Sequence, residues 1–140
     1  MVDAPNATQT IMSVASSALR AQQTRMRIIA ENMANADSTA KTPDAAPYRR
    51  QTPVFQPTKV DGGEGVKVAR VAPDQTAFKQ EYQPGNPAAD KNGYVKLPNV
   101  DPLVEALDLK EAQRSYEANL NVIEAARAMQ MRTLDLLKSK

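Results

Sequence analysis

The chain contains no cysteine, no histidine and no tryptophan. Without cysteine there can be no disulfide, thiolate zinc site or thiol nucleophile. That fits a reducing compartment, or an oxidising one where the fold manages without staples, so composition leaves the compartment open. Without histidine, an imidazole-dependent triad or a histidine-ligated metal is excluded. Aromatic residues make up only 4% of the 140: Phe55, Phe78 and four tyrosines. Large rings supply much of the burial in compact cores, so an isolated copy is expected to have a thin one. No stretch approaches the roughly 20 apolar residues that a membrane-spanning helix needs. Met1-Val2-Asp3-Ala4-Pro5 carries no basic segment and does not read as a secretory signal. Export, if it occurs, is expected to use a route without a cleaved leader.

An excess of one charge is missing too. Eighteen Lys and Arg face sixteen Asp and Glu, a net charge of +2. That is too slight to argue for nucleic acid, which needs a clustered cationic track. Arg20, Arg25 and Arg27 form one local basic face and Tyr48-Arg49-Arg50 a second. Both read as solvated or partner-facing edges. The pairs Glu105/Asp108 and Glu117/Glu124 stand beside Lys or Arg at helical spacing, which suits solvated ion pairs better than a catalytic acid and base. The run Gly62-Gly63-Glu64-Gly65 lacks the lysine and following helix of a phosphate loop, so a turn over 61–65 is the better reading. Ser16-Ser17 and Ser38-Thr39 have no histidine to activate them. These absences point away from an enzyme, and no cofactor, metal or small-molecule substrate is expected.

What the chain does have is periodicity. Residues 1–10 read as a flexible lead-in. Over 11–36, Met12, Ala15, Leu19, Gln22, Met26, Ile29, Met33 and Ala36 recur at spacings of three and four, a narrow helical stripe suited to coiled-coil-like packing. The polar, proline-bearing stretch around 35–47 ends that helix. Short strands are expected at 48–55, 66–71, 77–82 and 94–97. Most of the ten prolines fall between 43 and 102, which demotes these strands to short or edge elements. A second helix starts at Asp101 as N-cap with Pro102 in the first position and runs to about residue 138. Its broader stripe contains Leu103, Leu107, Leu109, Ala112, Tyr116, Leu120, Ile123, Ala126, Leu134, Leu136 and Leu137, interrupted by Gln130.

The expected fold class is α+β. Two long terminal helices, 11–36 and 101–140, pack as a coiled-coil-like pair, and a small irregular β-rich insert at 37–100 lies between them. Helices this long expose more apolar stripe than a 60-residue insert can cover, and packing on neighbouring copies is the natural outlet. A monomeric helical adaptor is the rival reading from pattern alone. A membrane-surface binding module using Arg20, Arg25 and Arg27 is another.

Several motifs narrow the choice. Ile29-Ala30-Glu31-Asn32-Met33-Ala34-Asn35, at the end of the first helix, is similar to the N-terminal signature of the flagellar rod and hook axial proteins. Pro47-Tyr48-Arg49-Arg50-Gln51, Tyr82-Gln83-Pro84-Gly85-Asn86-Pro87-Ala88-Ala89-Asp90 and Gly93-Tyr94-Val95-Lys96-Leu97-Pro98-Asn99-Val100 resemble the middle segments of the proximal-rod members. Arg114-Ser115-Tyr116-Glu117-Ala118-Asn119 resembles the family's C-terminal motif. Asn86 stands where the family often has His, while Pro84, Gly85 and Pro87 keep the turn chemistry. The motifs fall in family order over about residues 11–138.

The resemblance implies a structural subunit of the bacterial flagellar basal-body rod, the axial drive shaft that crosses the periplasm and is needed for motility. It implies passage unfolded through the flagellar type III export apparatus. The partners implied are copies of the chain, other rod proteins and the adaptor at the rod base. Met12, Leu19, Met26, Ile29 and Met33 are the expected assembly seam of the first helix. Tyr116, Leu120, Ile123, Leu134 and Leu137 are expected to face them or a neighbour.

Overall fold

A computed structural model describes residues 6–139. The element order is α1 (Ala7–Ala34), β1 (Gln51–Val60), β2 (Gly63–Pro73), β3 (Lys79–Tyr82), β4 (Tyr94–Leu97) and α2 (Pro102–Lys138). Two terminal helices flanking antiparallel strands is the α+β arrangement expected, and among the described residues no helix is long and apolar enough to cross a membrane.

The first helix begins earlier than its apolar pattern does. Asn6 accepts a hydrogen bond from the Gln9 amide at 2.9 Å, and the Gln9 side chain accepts one from the Asn6 amide at 3.2 Å. This reciprocal capping box satisfies two N-terminal donors and draws residues 7–10 into the helix. Residues 7–10, expected within a lead-in over 1–10, are therefore helical, and residues 1–5 lie outside the described ones. At the other end, Asn35 caps the helix: its amide reaches back to the Asn32 and Glu31 carbonyls, and its side chain donates to the Glu31 carbonyl at 2.8 Å. The second helix starts as read, with the Asp101 carboxylate accepting from the Leu103 amide at 3.0 Å and Pro102 in the first turn.

The helices run antiparallel, with the end of α1 beside the start of α2. On α1 the inner line is Met12, Ala15, Leu19, Gln22, Met26 and Ile29. On α2 it is Glu105, Leu109, Ala112, Tyr116, Asn119, Ile123, Ala126 and Gln130, all buried or half-buried. Those positions alternate steps of three and four, the spacing that keeps one seam facing its partner along paired helices. On α2 most leucines lie off this seam. Leu103, Leu107 and Leu120, expected within the stripe, are exposed, because the heptad register runs through Glu105, Asn119 and Gln130 instead.

The insert is more regular than expected. β1 and β2 form a ten-pair antiparallel ribbon, Gln51 against Pro73 through Val60 against Gly63, with a register shift after Val54. Pro53 and Pro57 lie inside β1. In a two-stranded ribbon each strand keeps one unpaired edge, where a missing N–H costs nothing. The turn is only Asp61-Gly62, with Gly62 at φ 77°, the Asp-Gly preference of tight hairpins. Gly63 and Gly65 are therefore strand residues. Their role is close approach to α1: a Cβ on Gly63 would lie 3.1 Å from Thr10 Cγ2, and one on Gly65 would collide with Ser17 Oγ. Ser17 Oγ accepts the Val66 amide at 3.0 Å, tying the ribbon to the helix. The short pair β3–β4 completes the insert. Val95, Pro98, Asn99 and Val100 are buried near the start of α2.

Candidate functional site

Two regions concentrate the features that pattern reading singled out. The first is a buried polar clamp where α1, the insert and α2 meet. Asn32 is 1% exposed. Its side-chain oxygen accepts from the Gln51 amide and the Tyr48 hydroxyl, both at 2.9 Å, and its amide nitrogen donates to the Gln51 carbonyl at 2.8 Å and to Glu105 at 3.2 Å. One side chain thus pairs with the first residue of β1 as a neighbouring strand would.

Glu105 is fully buried, a cost that a lone carboxylate could not sustain. Arg50 offsets it: its Nε donates to Glu105, and its Nη1 lies 3.3 Å from Asp74. Asn99 locks the same segment by accepting the Arg50 amide at 2.7 Å and donating to Asp74 and Thr76. Arg49 donates to the Asp74 and Thr76 carbonyls and lies 4.1 Å over the Phe78 ring.

These contacts overturn two expectations. The Tyr48-Arg49-Arg50 spot is not a solvated edge, and Glu105 is not a solvated helix carboxylate; both are structural. The same is true of Arg25, which pairs across the helices with Asp108 and approaches Glu111 at 3.6 Å.

Electrostatics at the clamp follow from these contacts. Burial pushes the Tyr48 hydroxyl pKa up, and the nearby charges of Glu31 and Glu105 add to the rise. Burial alone would lower the Arg50 pKa, but hydrogen bonds and charge from Glu105 and Asp74 outweigh it and hold the guanidinium above its ordinary value. Asp74 is held below its ordinary value, chiefly by the Thr76 backbone N–H, with burial opposing and the Thr76 hydroxyl and Arg50 reinforcing.

The second region is the far end of α2. At about 1.5 Å per residue the 28 residues of α1 span about 42 Å and the 37 of α2 about 56 Å. Antiparallel pairing therefore leaves roughly the last ten residues of α2 beyond the start of α1. There Met131, Leu134, Leu136 and Leu137 are 62%, 51%, 72% and 71% exposed.

The ten candidate assembly residues divide between these environments. Ile29 is buried inside this one copy. Met12, Leu19, Met26, Tyr116 and Ile123 are half-buried, while Met33 and Leu120 are at the exposed margin, and Leu134 and Leu137 are bare. Among the motif residues, the structure brings Asn32, Tyr48, Arg49, Arg50 and Asn99 together at the clamp and buries Ile29 and Pro98. It leaves Ala30, Ala34, Pro84, Gly85, Pro87 and Arg114 exposed and apart from it. Gly93, at φ +84°, has no room for a Cβ beside Tyr82, and Tyr82 meets Tyr94 edge-on at 5.4 Å. Asn119 returns its side-chain amide to the Ser115 carbonyl at 2.7 Å, beside the half-buried Tyr116.

Comparison with known proteins matches this architecture at both ends. A profile described as "Flagella basal body rod protein" covers residues 12–40, and one described as "Flagellar basal body rod FlgEFG protein C-terminal" covers residues 91–136. A protein of Agrobacterium fabrum named flagellar basal-body rod protein FlgC is 52% identical over 128 residues, 90% of this chain and 92% of that one. The protein of that name in Salmonella typhimurium is 47% identical, covering 90% and 95%. Its counterpart in Bacillus subtilis is 38% identical over 144 residues, covering 91% and 96%. With identity this high along nearly the whole length of each, the chain belongs to the FlgC family of flagellar basal-body rod proteins.

Proposed function

We propose that this chain is a structural subunit of the bacterial flagellar basal-body rod, assembling with copies of itself and with other rod proteins. The observation that carries the reading is the bare end of α2, where apolar residues stand clear of the chain's own α1. A continuous seam that runs out of partner within one molecule is completed by another, and a contact between unlike surfaces propagates instead of closing. In this role Leu134 and Leu137 meet neighbouring subunits. Met12, Leu19, Met26, Met33, Tyr116, Leu120 and Ile123 serve both the internal pair and its outer rim. The rod stands in the periplasm. The chain reaches it through the flagellar type III export apparatus and joins the adaptor at the rod base. It performs no catalysis.

The membrane-surface alternative is weakened by the ion pairs that occupy two of its three cations: Arg25 is engaged by Asp108, and Arg27 by Glu31 at 2.7 Å. The test must avoid residues that hold the monomer together. Ile29→Asp would unfold the clamp, so its failure to assemble would say nothing about an interface. The double variant Leu134→Asp/Leu137→Asp alters exposed positions only, and its unfolding midpoint is expected to stay unchanged. Isolated basal bodies should lack it, and cells carrying it should not swim. Normal swimming and normal recovery of the variant in rods would refute the reading.

A further inference from the structure

We infer that the groove between α1 and the β1–β2 ribbon docks the outward acidic stripe of α2 from a neighbouring copy, an interface that rests on the rod-subunit reading and adds a specific contact to it. The groove encloses about 500 Å3, with small Ser17 and Ala21 on the helix side and Val60, Val66 and Val68 on the ribbon side. Four cations line it: Arg20 from α1, and Lys59, Lys67 and Arg70 from the ribbon. Among the described residues none of the four has an ion-pair partner. An apolar floor with an unneutralised cationic rim favours an amphipathic partner that brings carboxylates.

The chain itself carries such a face. Glu117, Leu120, Glu124, Ala128, Met131 and Asp135 recur along α2 at spacings of three and four, and all six are exposed. At 3.6 residues per turn they form one stripe along a flank of α2, with Leu120 next to the α1 seam and the three carboxylates farther out. Arg114, Arg127 and Arg132 border it at the margins. None of the three carboxylates is paired within the described residues.

Groove and stripe are different patches of one molecule, so each docked copy offers its own free groove or stripe to the next.

The chain has no natural cysteine, so an engineered pair reports cleanly. Cells expressing the single variants Lys67→Cys and Glu124→Cys together are oxidised and their basal bodies isolated. A covalent mixed dimer is expected, absent when Glu124→Cys is replaced by Val122→Cys, an exposed position on the opposite flank of α2. No mixed dimer from rods that contain both variants overturns the inference. Charge exchange is the second arm. Lys67→Glu and Glu124→Lys, each alone, are expected to lower rod incorporation about tenfold, and together to restore it. Single variants that incorporate normally overturn the contact. So does a combination that fails to restore, which would assign the groove to an acidic face on a different rod protein. Either failure leaves the rod-subunit reading standing, because that reading is decided separately by the Leu134/Leu137 variant.

Discussion

The two ends of α2 belong to one uninterrupted helix yet live in opposite surroundings. At the start, Glu105 is sealed from water, held by Arg50 from the insert and Asn32 from α1. Toward the finish, Leu136 and Leu137 are largely in water. A free carboxylate belongs outside and a leucine inside, so residue character alone would assign these two ends the other way round. The difference lies in partners. At one end three elements converge, and their hydrogen bonds make a buried charge tolerable; at the other, one helix continues where its neighbour has stopped. A rigid root with a bare tip suits a part that keeps its own fold and completes its surface on assembly.

The sharpest way to break this comparison is to unpair the root. Arg50→Ala leaves Glu105 buried without its cation and should cost about 3–5 kcal/mol, read as a lower midpoint in urea unfolding. A loss below about 1 kcal/mol would mean that water reaches Glu105 and that the root is no tighter than the tip. Asn32→Ala removes the partner of the Gln51 amide and carbonyl, and about 1–3 kcal/mol is expected from those orphaned groups. Protection of the Gln51 amide from hydrogen exchange should fall in the same variant.

Acid gives a gentler probe. Asp74 has its pKa lowered on folding, so its contribution is present above the unfolded value and drains away as pH falls through the folded one. The wild type should therefore lose stability below about pH 4 more steeply than Asp74→Asn, as measured by thermal midpoints across an acid series. The smallest effect on the isolated chain belongs to the tip. Leu134→Asp/Leu137→Asp should shift unfolding by no more than about 0.5 kcal/mol, although its effect on assembly is the largest of the set.

Much of the frame was legible from residues alone, and for physical reasons. Asp101-Pro102 announces a helix start because a capping carboxylate and a fixed φ act within a few residues. Met12, Ala15, Leu19, Gln22, Met26 and Ile29 reveal a seam because helical period is local geometry. The clamp was not legible. Glu105 looks like any helix carboxylate until Arg50, 55 positions away, is brought beside it. The signal that could have found it was the register itself, since stepping back by seven from Ala126, Asn119 and Ala112 lands on Glu105. Following leucines in place of register put Leu103 and Leu107 inside. Gly63 and Gly65 likewise pass for a loop, because the reason for their missing side chains is a helix some 50 residues upstream.

Sequence by itself determined the two helices, the cap that starts α2, the seam on α1 and the absence of thiol and imidazole chemistry. Each of these depends on neighbours within a turn or two, or on composition. Only the tertiary structure decided which charges are buried, which glycines are packing surfaces, and where α2 outruns α1. Those outcomes depend on distant segments sharing one space, where a buried charge survives only beside its partner and an apolar face stays bare only where the chain supplies nothing to cover it.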